Sequence, residues 1–137
     1  MPPSKLLDLM ARKEKVKHGQ NAARLRDVAM VKAQAEEMDE KLNTLRDGCE
    51  TAMPHQVNVS QLKASHWLAG QLTQQIEMNR THSEKLESDM SEARTALSQS
   101  DHRQQLYQDR AREAAMHEAE ERAERMRQAQ PALRKAH

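Results

Sequence analysis

The residues best suited to chemistry are seven histidines and one cysteine, spread along 137 residues. No two histidines are three or four residues apart, so no helix face presents the pair of imidazoles that bind a metal. The chain also has no Cys-x-x-Cys motif, no His-Glu-x-x-His motif and no glycine-rich phosphate loop. No nucleophile lies near both a base and an orienting acid. We therefore expect no metal, no cofactor and no catalysis.

Charge and targeting signals narrow the function classes further. The net charge is only +1, and no aromatic residues are interleaved with the basic ones, so nucleic-acid binding is not expected. The N-terminal residues lack a signal-peptide pattern, and no stretch approaches the ~20 apolar residues of a membrane span. The single cysteine, Cys49, cannot form a disulfide within the chain. These features predict a cytoplasmic protein.

The elements that position these residues are indicated by composition and spacing. The chain has no Phe, 36% hydrophobic and 31% charged residues, too little bulky apolar volume for a globular core. Apolar residues nevertheless recur at alternating steps of three and four, the spacing of a coiled coil. The first series is Val28, Val31, Ala35, Met38, Leu42, Leu45, Cys49 and Ala52. The second is Leu62, Ala69, Leu72, Ile76, Leu86, Met90, Ala93, Leu97, Tyr107, Ala111 and Ala114.

The two series predict an all-α fold, a long antiparallel two-helix coiled-coil hairpin with a projecting C-terminal helix. Ser4 and Ser60 are the expected N-terminal caps, and Pro54 ends the first helix. Ahead of the first series, a less regular one runs through Leu6, Leu9, Val16, Ala23 and Leu25. The predicted single rod over residues 1–137 has a helix at 4–52, a hinge at 53–60, a helix at 61–129 and a basic tail at 130–137.

The unequal helix lengths predict which residues face each other. Folding the chain about residues 56–57 places Ser4 near Asp109 and leaves everything beyond about residue 112 without an internal partner. Four polar residues, Asn79, Ser83, Ser100 and Gln104, fall at inward positions of the second helix. Such residues fix the register of a coiled coil at a cost in stability.

Basic residues are concentrated at both ends of the chain. Residues 1–32 hold eight Lys or Arg against three acidic residues, a local charge of +5, and the C-terminal tail is basic again. A hairpin brings these two segments to the same end. That end suits an acidic protein surface or anionic lipid, although a solvated face without function accounts for a charge run equally well.

In order and spacing, four features of the chain resemble the FliJ-type family of flagellar export stalk proteins, over nearly its whole length. They are the start Leu6-Leu7-x-Leu9 before the charged run at residues 12–15, the series Met38, Leu42, Leu45 and Cys49, the segment Trp67-Leu68-x-x-x-Leu72-x-x-x-Ile76, and the basic Arg134-Lys135. The resemblance implies a non-catalytic stalk of the bacterial flagellar type III export apparatus, similar to the central stalk subunit of rotary ATPases.

The resemblance also implies the partners and their contact residues. One end would insert into the hexameric export ATPase, and the rod would contact the cytoplasmic domain of the export gate and the export chaperones. The ATPase contact, here called the terminal set, would be Leu6, Leu7, Leu9, Met116, Ala119, Arg122, Arg125 and Met126. The export-gate contact, here called the hinge-proximal set, would be Leu42, Leu45, Cys49, Trp67, Leu68 and Leu72. The protein would be cytoplasmic and reach the inner membrane only peripherally, through these partners.

Two alternatives remain compatible with the sequence. The equivalent stalk protein of a virulence-type secretion system would share the rod and the mechanism. An unrelated coiled-coil scaffold, or a parallel dimer without an ATPase partner, is the second alternative, although Pro54 and the unequal helices argue against a straight parallel dimer.

Overall fold

A computed structural model describes residues 2–51 and 58–135, and two long helices account for nearly all of them. Helix α1 is Pro3–Thr51 and helix α2 is Val59–Lys135. The described residues contain no strand, so the predicted all-α class is confirmed. In this part of the chain neither helix is long and apolar enough to cross a membrane. Residues 53–57 of the predicted hinge, including Pro54, lie outside the described residues, as does Ala52, the predicted end of the first helix.

The start of α1 differs from the prediction. Proline is favoured at the first helical position, which Pro3 occupies, because the amide hydrogen it lacks has no partner there anyway. The carbonyl of Pro2 accepts hydrogen bonds from the amides of Lys5 and Leu6, at 3.1 and 3.3 Å. Ser4 therefore lies inside the first turn, and the prediction that it caps α1 is wrong.

The start of α2 is also earlier than predicted, at Val59 instead of residue 61. The amide of Gln61 donates to the side-chain oxygen of Asn58 at 2.8 Å, and the amide of Asn58 donates back to the Gln61 side chain at 3.4 Å. This reciprocal pair is a capping box. Asn58 is thus the cap in place of Ser60, because Gln61 stands three residues after it and completes the box.

The far end of α2 extends past the predicted boundary. The helix continues through Pro131 to Lys135, six residues beyond residue 129. Proline removes one donor from the hydrogen-bond ladder of a helix. The residues after it are good helix formers, which offsets that loss over a single turn. The predicted non-helical tail therefore begins, within the described residues, as part of α2.

Burial along α2 follows the predicted series. Every member from Ala69 to Ala114 is buried or half-buried, the polar members included, whereas the predicted first member, Leu62, is exposed. This set, the α2 stripe, consists of Ser65, Ala69, Leu72, Ile76, Asn79, Ser83, Leu86, Met90, Ala93, Leu97, Ser100, Gln104, Tyr107, Ala111, Ala114 and Glu118.

Burial along α1 follows a different row from the predicted one. The buried or half-buried α1 stripe consists of Ser4, Leu7, Ala11, Glu14, His18, Asn21, Leu25, Val28, Lys32, Ala35, Asp39, Leu42, Arg46 and Cys49. Three predicted members, Val31, Met38 and Leu45, are instead 39%, 49% and 57% exposed. In the front half, the predicted Leu6, Leu9 and Val16 are exposed as well.

The reason for this correction is that two rows share the same anchor positions. One row continues through Val31 and the other through Lys32. Both rows share the four positions Val28, Ala35, Leu42 and Cys49. Hydrophobicity favoured the first row, but the structure adopts the second. Long polar residues such as Lys32 tolerate that place because their aliphatic stems are buried while their charged ends reach outward.

The chain divides into two compact units, each containing part of both helices. In unit 1 (Met1–Ala22 and Thr95–His137), the Asn21 amide donates to Ser100 Oγ and to the carbonyl of Ala96, both at 3.3 Å. Ser4 contacts Glu118 in the same unit. The sequence predicted that Ser4 would lie near Asp109, which is nine residues before Glu118. That prediction set the register by the position of the turn alone. Specific polar contacts set it in unit 1.

Unit 2 (Ala23–Arg94) is held by a similar set of contacts between α1 and α2. The Asn79 amide donates to the carbonyl of Ala35 at 2.9 Å, and Arg24 lies 3.8 Å from Glu92. Lys32 forms an ion pair with Glu87 and holds the pKa of that carboxyl below its ordinary value, first through a hydrogen bond and then through its charge. Within each unit, residues further along α1 contact residues that come earlier in α2, as in an antiparallel pair.

The tight approach at Ala93 generates a stability prediction. Ala93 is fully buried in the α2 stripe, so Ala93→Leu should lower the free energy of unfolding by about 1–3 kcal/mol through overpacking. Ala33→Leu, at an exposed position of α1, makes the same chemical change and should alter it by less than about 0.5 kcal/mol. Urea denaturation followed by circular dichroism measures both. Equal losses would contradict the burial pattern.

Candidate functional site

The candidate sites are exposed surfaces and not enclosed centres. Within residues 2–51 and 58–135, no three His, Cys, Asp or Glu side chains lie together as a metal would require. The hydrophobic side chains that remain exposed include members of both predicted contact sets. The terminal set lies in unit 1 and the hinge-proximal set lies in unit 2.

Most of the terminal set is exposed, as a contact surface requires. Leu6, Leu9 and Met116 are exposed, and Met126 is 71% exposed. Leu7 differs, because it is half-buried in the α1 stripe and packs within unit 1. The remaining members, Ala119, Arg122 and Arg125, lie in the fully exposed stretch 119–130 of α2.

A surface hollow brings the start of α1 close to the basic part of the terminal set. Its volume is about 500 Å³, and its lining includes Pro2, Lys5, Arg122 and Arg125. The lining also includes Glu118 and Glu121, so the three cations of this recess exceed its acids by one charge. An acidic loop or side chain of a partner suits such a recess.

The contact between Ser4 and Glu118 closes this hollow on one side and was not foreseen from the sequence. The Ser4 hydroxyl donates to the Glu118 carboxylate at 2.6 Å, and the Ser4 amide donates to it at 3.1 Å. These two bonds, the hydroxyl bond first, hold the pKa of Glu118 below its ordinary value. A carboxylate from α2 therefore binds the first turn of α1, where negative charge is favoured. Its only sequence signal was its position four residues after Ala114, where the second series would continue.

The same contact moves the beginning of the unpartnered segment. The prediction left residues beyond about 112 without a partner, yet Ala114 and Glu118 belong to the buried or half-buried stripe. All residues from 119 to 130 are exposed. Met116 is two residues from both 114 and 118, which rotates it by about 200° to the face of α2 that points away from α1. Met116, Ala119, Ala123 and Met126 continue along that face at steps of three and four.

The hinge-proximal set divides into inward and outward residues. Leu42, Cys49 and Leu72 are half-buried members of the two stripes and pack between the helices of unit 2. Leu45 and Leu68 are exposed, and Trp67 is 66% exposed. The structure therefore leaves three of the six predicted residues fully available to a partner.

An apolar hollow joins some of these residues. Its volume is about 560 Å³, and its lining includes Cys49, Trp67 and Leu62. Sequence reasoning placed Leu62 in the packing series and so missed it as a surface residue, since its apolar character fits either place. Leu45, Leu68 and Leu72 are not part of this lining.

Unit 1 contains a buried polar pair that the sequence analysis did not single out. Glu14 is buried, with Arg103 at 3.6 Å and Lys17 at 3.8 Å. One turn later His18 is half-buried, and its Nδ1 and Glu14 Oε2 are buried without a hydrogen-bond partner. Buried polar atoms without such partners reduce stability. The two cations near Glu14 already balance its charge, which disfavours a metal ion there.

Comparisons of the chain with protein-family models, with curated proteins and with solved structures find no match.

The Ser4–Glu118 contact generates a prediction of pH dependence. The pKa of Glu118 is lower in the folded state than in the unfolded state. Its charge therefore stabilises the fold above the unfolded-state pKa, and this contribution is lost as the pH falls through the folded-state pKa. Glu118→Gln removes that charge. The variant should melt below the wild type at pH 7, and this difference should shrink and vanish between about pH 5 and pH 3.

Thermal unfolding at stepped pH values measures this difference. Glu120→Gln is the matched control, because Glu120 is exposed two residues away, and it should keep the wild-type pH profile. A Glu118→Gln curve parallel to that of the wild type at every pH would show that the contact does not form in solution.

Proposed function

We propose that this chain is a non-catalytic stalk and adaptor of the bacterial flagellar type III export apparatus. In this proposal it is an antiparallel coiled-coil hairpin with a projecting C-terminal helix. Its terminal end inserts into the export ATPase ring, and it also contacts the export gate and the export chaperones. It is cytoplasmic and reaches the inner face of the membrane only through these partners.

The pairing within each unit supports the hairpin. A row that alternates steps of three and four runs along α1 from Ser4 to Cys49, and a matching row runs along α2 from Ser65 to Glu118. In unit 1, Ser4 contacts Glu118 whereas the later Asn21 contacts the earlier Ser100. In unit 2, Arg24 contacts Glu92 whereas the later Ala35 contacts the earlier Asn79. Each unit thus has the order expected of antiparallel helices.

One observation carries the stalk proposal: α2 continues past the contact of Glu118 with Ser4, and its residues 119–130 are all exposed. Residues 119–130 have no buried member, yet they keep an apolar row ending in Met126. A helix that is polar all round needs no such row, so it suits the groove of another protein. Arg122 and Arg125 line the hollow at the start of α1, on another side of α2, and favour an acidic surface such as the lumen of a ring with acidic loops.

The mechanism follows from this geometry. The stalk supplies no reacting group. Its exposed helix enters the ring, where apolar contact with several subunits stabilises the assembled hexamer, and ring assembly raises ATP hydrolysis by mass action. Electrostatic attraction accelerates the encounter and makes binding weaker at high salt.

The outward residues of the hinge-proximal set support the export-gate contact. Trp67 is the chain's only Trp and is largely exposed, and large aromatics are enriched among residues that dominate binding energy. The neighbouring hollow lined by Cys49 and Leu62 is wide enough for an apolar side chain of a partner. A stalk of a virulence-type system would use the same geometry, and binding to the ATPase of one system over the other distinguishes the two.

Deleting residues 119–137 tests the proposal. The truncation keeps Glu118 and every member of both stripes, so thermal melting of the remaining chain should change little. Stimulation of the export ATPase of the same organism should be lost, because the exposed helix is missing. Circular dichroism and a phosphate-release assay on the same samples measure the two quantities.

A point variant provides the matched control. Met126→Asp should reduce stimulation strongly, because it places a charge in the apolar row. Gln128→Asp adds the same charge about 200° around the helix and should leave stimulation nearly unchanged. A truncated chain that stimulates the ATPase fully would contradict the stalk function.

A further inference from the structure

The hydrogen bonding of the buried Glu14 in unit 1 is incomplete. Among the charged side chains that the structure describes, Glu14 is the only buried one, at 7% exposure. Arg103 Nε lies 3.6 Å from its Oε2, and Lys17 Nζ lies 3.8 Å from its Oε1. Both distances exceed the roughly 2.7–2.9 Å of a charge-assisted hydrogen bond. The two cations therefore balance the charge of Glu14, but its buried Oε2 still lacks a hydrogen-bond donor.

His18 has the complementary deficiency one helical turn further along α1. Its Nδ1 is buried without a hydrogen-bond partner. Both residues belong to the α1 stripe, and residues four apart in a helix lie one above the other on the same face. A buried acceptor that lacks a donor and a buried ring nitrogen that can carry a proton are thus neighbours.

A spacing of four residues allows direct contact between these two types of side chain. On α2, His117 and Glu121 are also four residues apart, in the reverse order, and His117 Nδ1 lies 3.4 Å from Glu121 Oε1. Their side chains are 72% and 52% exposed, so water screens this pair. Glu14 and His18 can make the same contact where less water competes for their buried atoms.

We propose that Glu14 and His18 form a proton-operated clasp in unit 1, in which protonated His18 donates a hydrogen bond from Nδ1 to Glu14 Oε2. Neutral imidazole has a hydrogen on only one of its two nitrogens, whereas imidazolium has one on each. Proton uptake therefore ensures a donor at Nδ1 and adds a charge that attracts the carboxylate. The structure, with both atoms unpaired, corresponds to the open clasp. The clasp does not depend on the proposed stalk function.

Other titratable side chains on the surrounding turns of both helices act on a charge at His18. They are Lys15, Lys17, Asp101, His102, Arg103 and Tyr107. The three cations among them oppose that charge, but Lys15 is exposed, and the side chains of Lys17 and Arg103 are 50% and 48% exposed. Water screens such groups more than buried ones. The half-buried Asp101 favours the charge, His102 is exposed, and Tyr107 is a phenol one turn further along α2. The buried carboxylate of Glu14 therefore decides the sign.

The clasp implies a pH dependence opposite to that of the Ser4–Glu118 contact. An ordinary imidazole takes up its proton near pH 6.5. Because the closed clasp exists only in the folded chain, linkage makes it a stabilising contribution that is present at about pH 5.5 and lost as the pH rises toward about 8. The contribution of Glu118 is lost only as the pH falls below about 5, so measurements between about pH 5.5 and pH 8 separate the two contacts.

A double-mutant cycle tests the clasp with the purified chain alone. The melting temperature Tm is measured for the wild type, Glu14→Gln, His18→Gln and the double variant, at about pH 5.5 and at about pH 8. Gln carries no charge at either pH. At pH 5.5 the loss of Tm in the double variant should be smaller than the sum of the single losses by about 4 °C. At pH 8 this coupling should be within about 1 °C of zero, because neutral His18 leaves the clasp open.

His117→Gln is the matched control, because it removes the exposed His–Glu pair of α2. Its change of Tm between the two pH values should stay within about 1 °C of that of the wild type, whereas His18→Gln should lose Tm mainly at pH 5.5. Circular dichroism verifies that each variant is helical. If Glu14→Gln does not fold, the pH response of His18→Gln against that of His117→Gln tests the clasp on its own. Equal coupling at both pH values, or equal pH responses of the two histidine variants, would overturn the proposal.

Discussion

The structure depends on the pairing of two helices, neither of which can bury its own inward row. An isolated helix in water is only marginally stable, and most of its stability in a protein comes from packing of one face. In unit 2 that face includes Ala35 and Leu86, and in unit 1 it includes Ala11 and Ser100. The small residues among them, Ala11, Ala35 and Ser100, allow the two backbones to approach closely, so that polar side chains can bond across the pair.

The two units use this pairing differently. Unit 2 combines apolar stripe residues with the bond from Asn79 to Ala35. Unit 1 contains the buried Glu14 and His18 with atoms that lack hydrogen-bond partners, and its register rests on polar contacts at Asn21 and Ser4. Buried polar groups specify one arrangement more than they stabilise it. Unit 1 is therefore expected to open more easily than unit 2.

Much of the fold was predictable from the sequence, because a long alternation of steps of three and four is typical of paired helices and of few other structures. The helical class and nearly the whole α2 stripe followed from that spacing, including the polar members Asn79 and Ser100. The α1 stripe did not. Hydrophobicity alone could not separate the row through Val31 from the row through Lys32, since both pass through Val28 and Ala35. Only the position of the partner helix decides between them.

The helix ends and the candidate surfaces were less predictable for related reasons. Asn58, and not Ser60, is the cap of α2 because Gln61, three residues after Asn58, completes a capping box with it. Glu118 was assigned to the start of an unpartnered segment because its contact with Ser4 joins residues far apart in sequence. Likewise, the exposure of Met38 and Leu45 could not be foreseen, because their apolar character fits the predicted packing series as well as the surface.

The proposed stalk requires antiparallel pairing of α1 and α2 within a single chain. Distance measurement between spin labels at Ala33→Cys and Thr81→Cys, in a Cys49→Ser background, tests this pairing. Both positions are exposed in unit 2, so labelling leaves the stripes intact. Dilution with excess unlabelled chain removes distances between copies. Antiparallel pairing predicts a narrow distribution at about 20–30 Å that survives dilution. Helices that do not fold back would separate the labels by up to about 72 Å, the length of 48 helical residues. Such a distance, or a signal that is lost on dilution, would contradict antiparallel pairing.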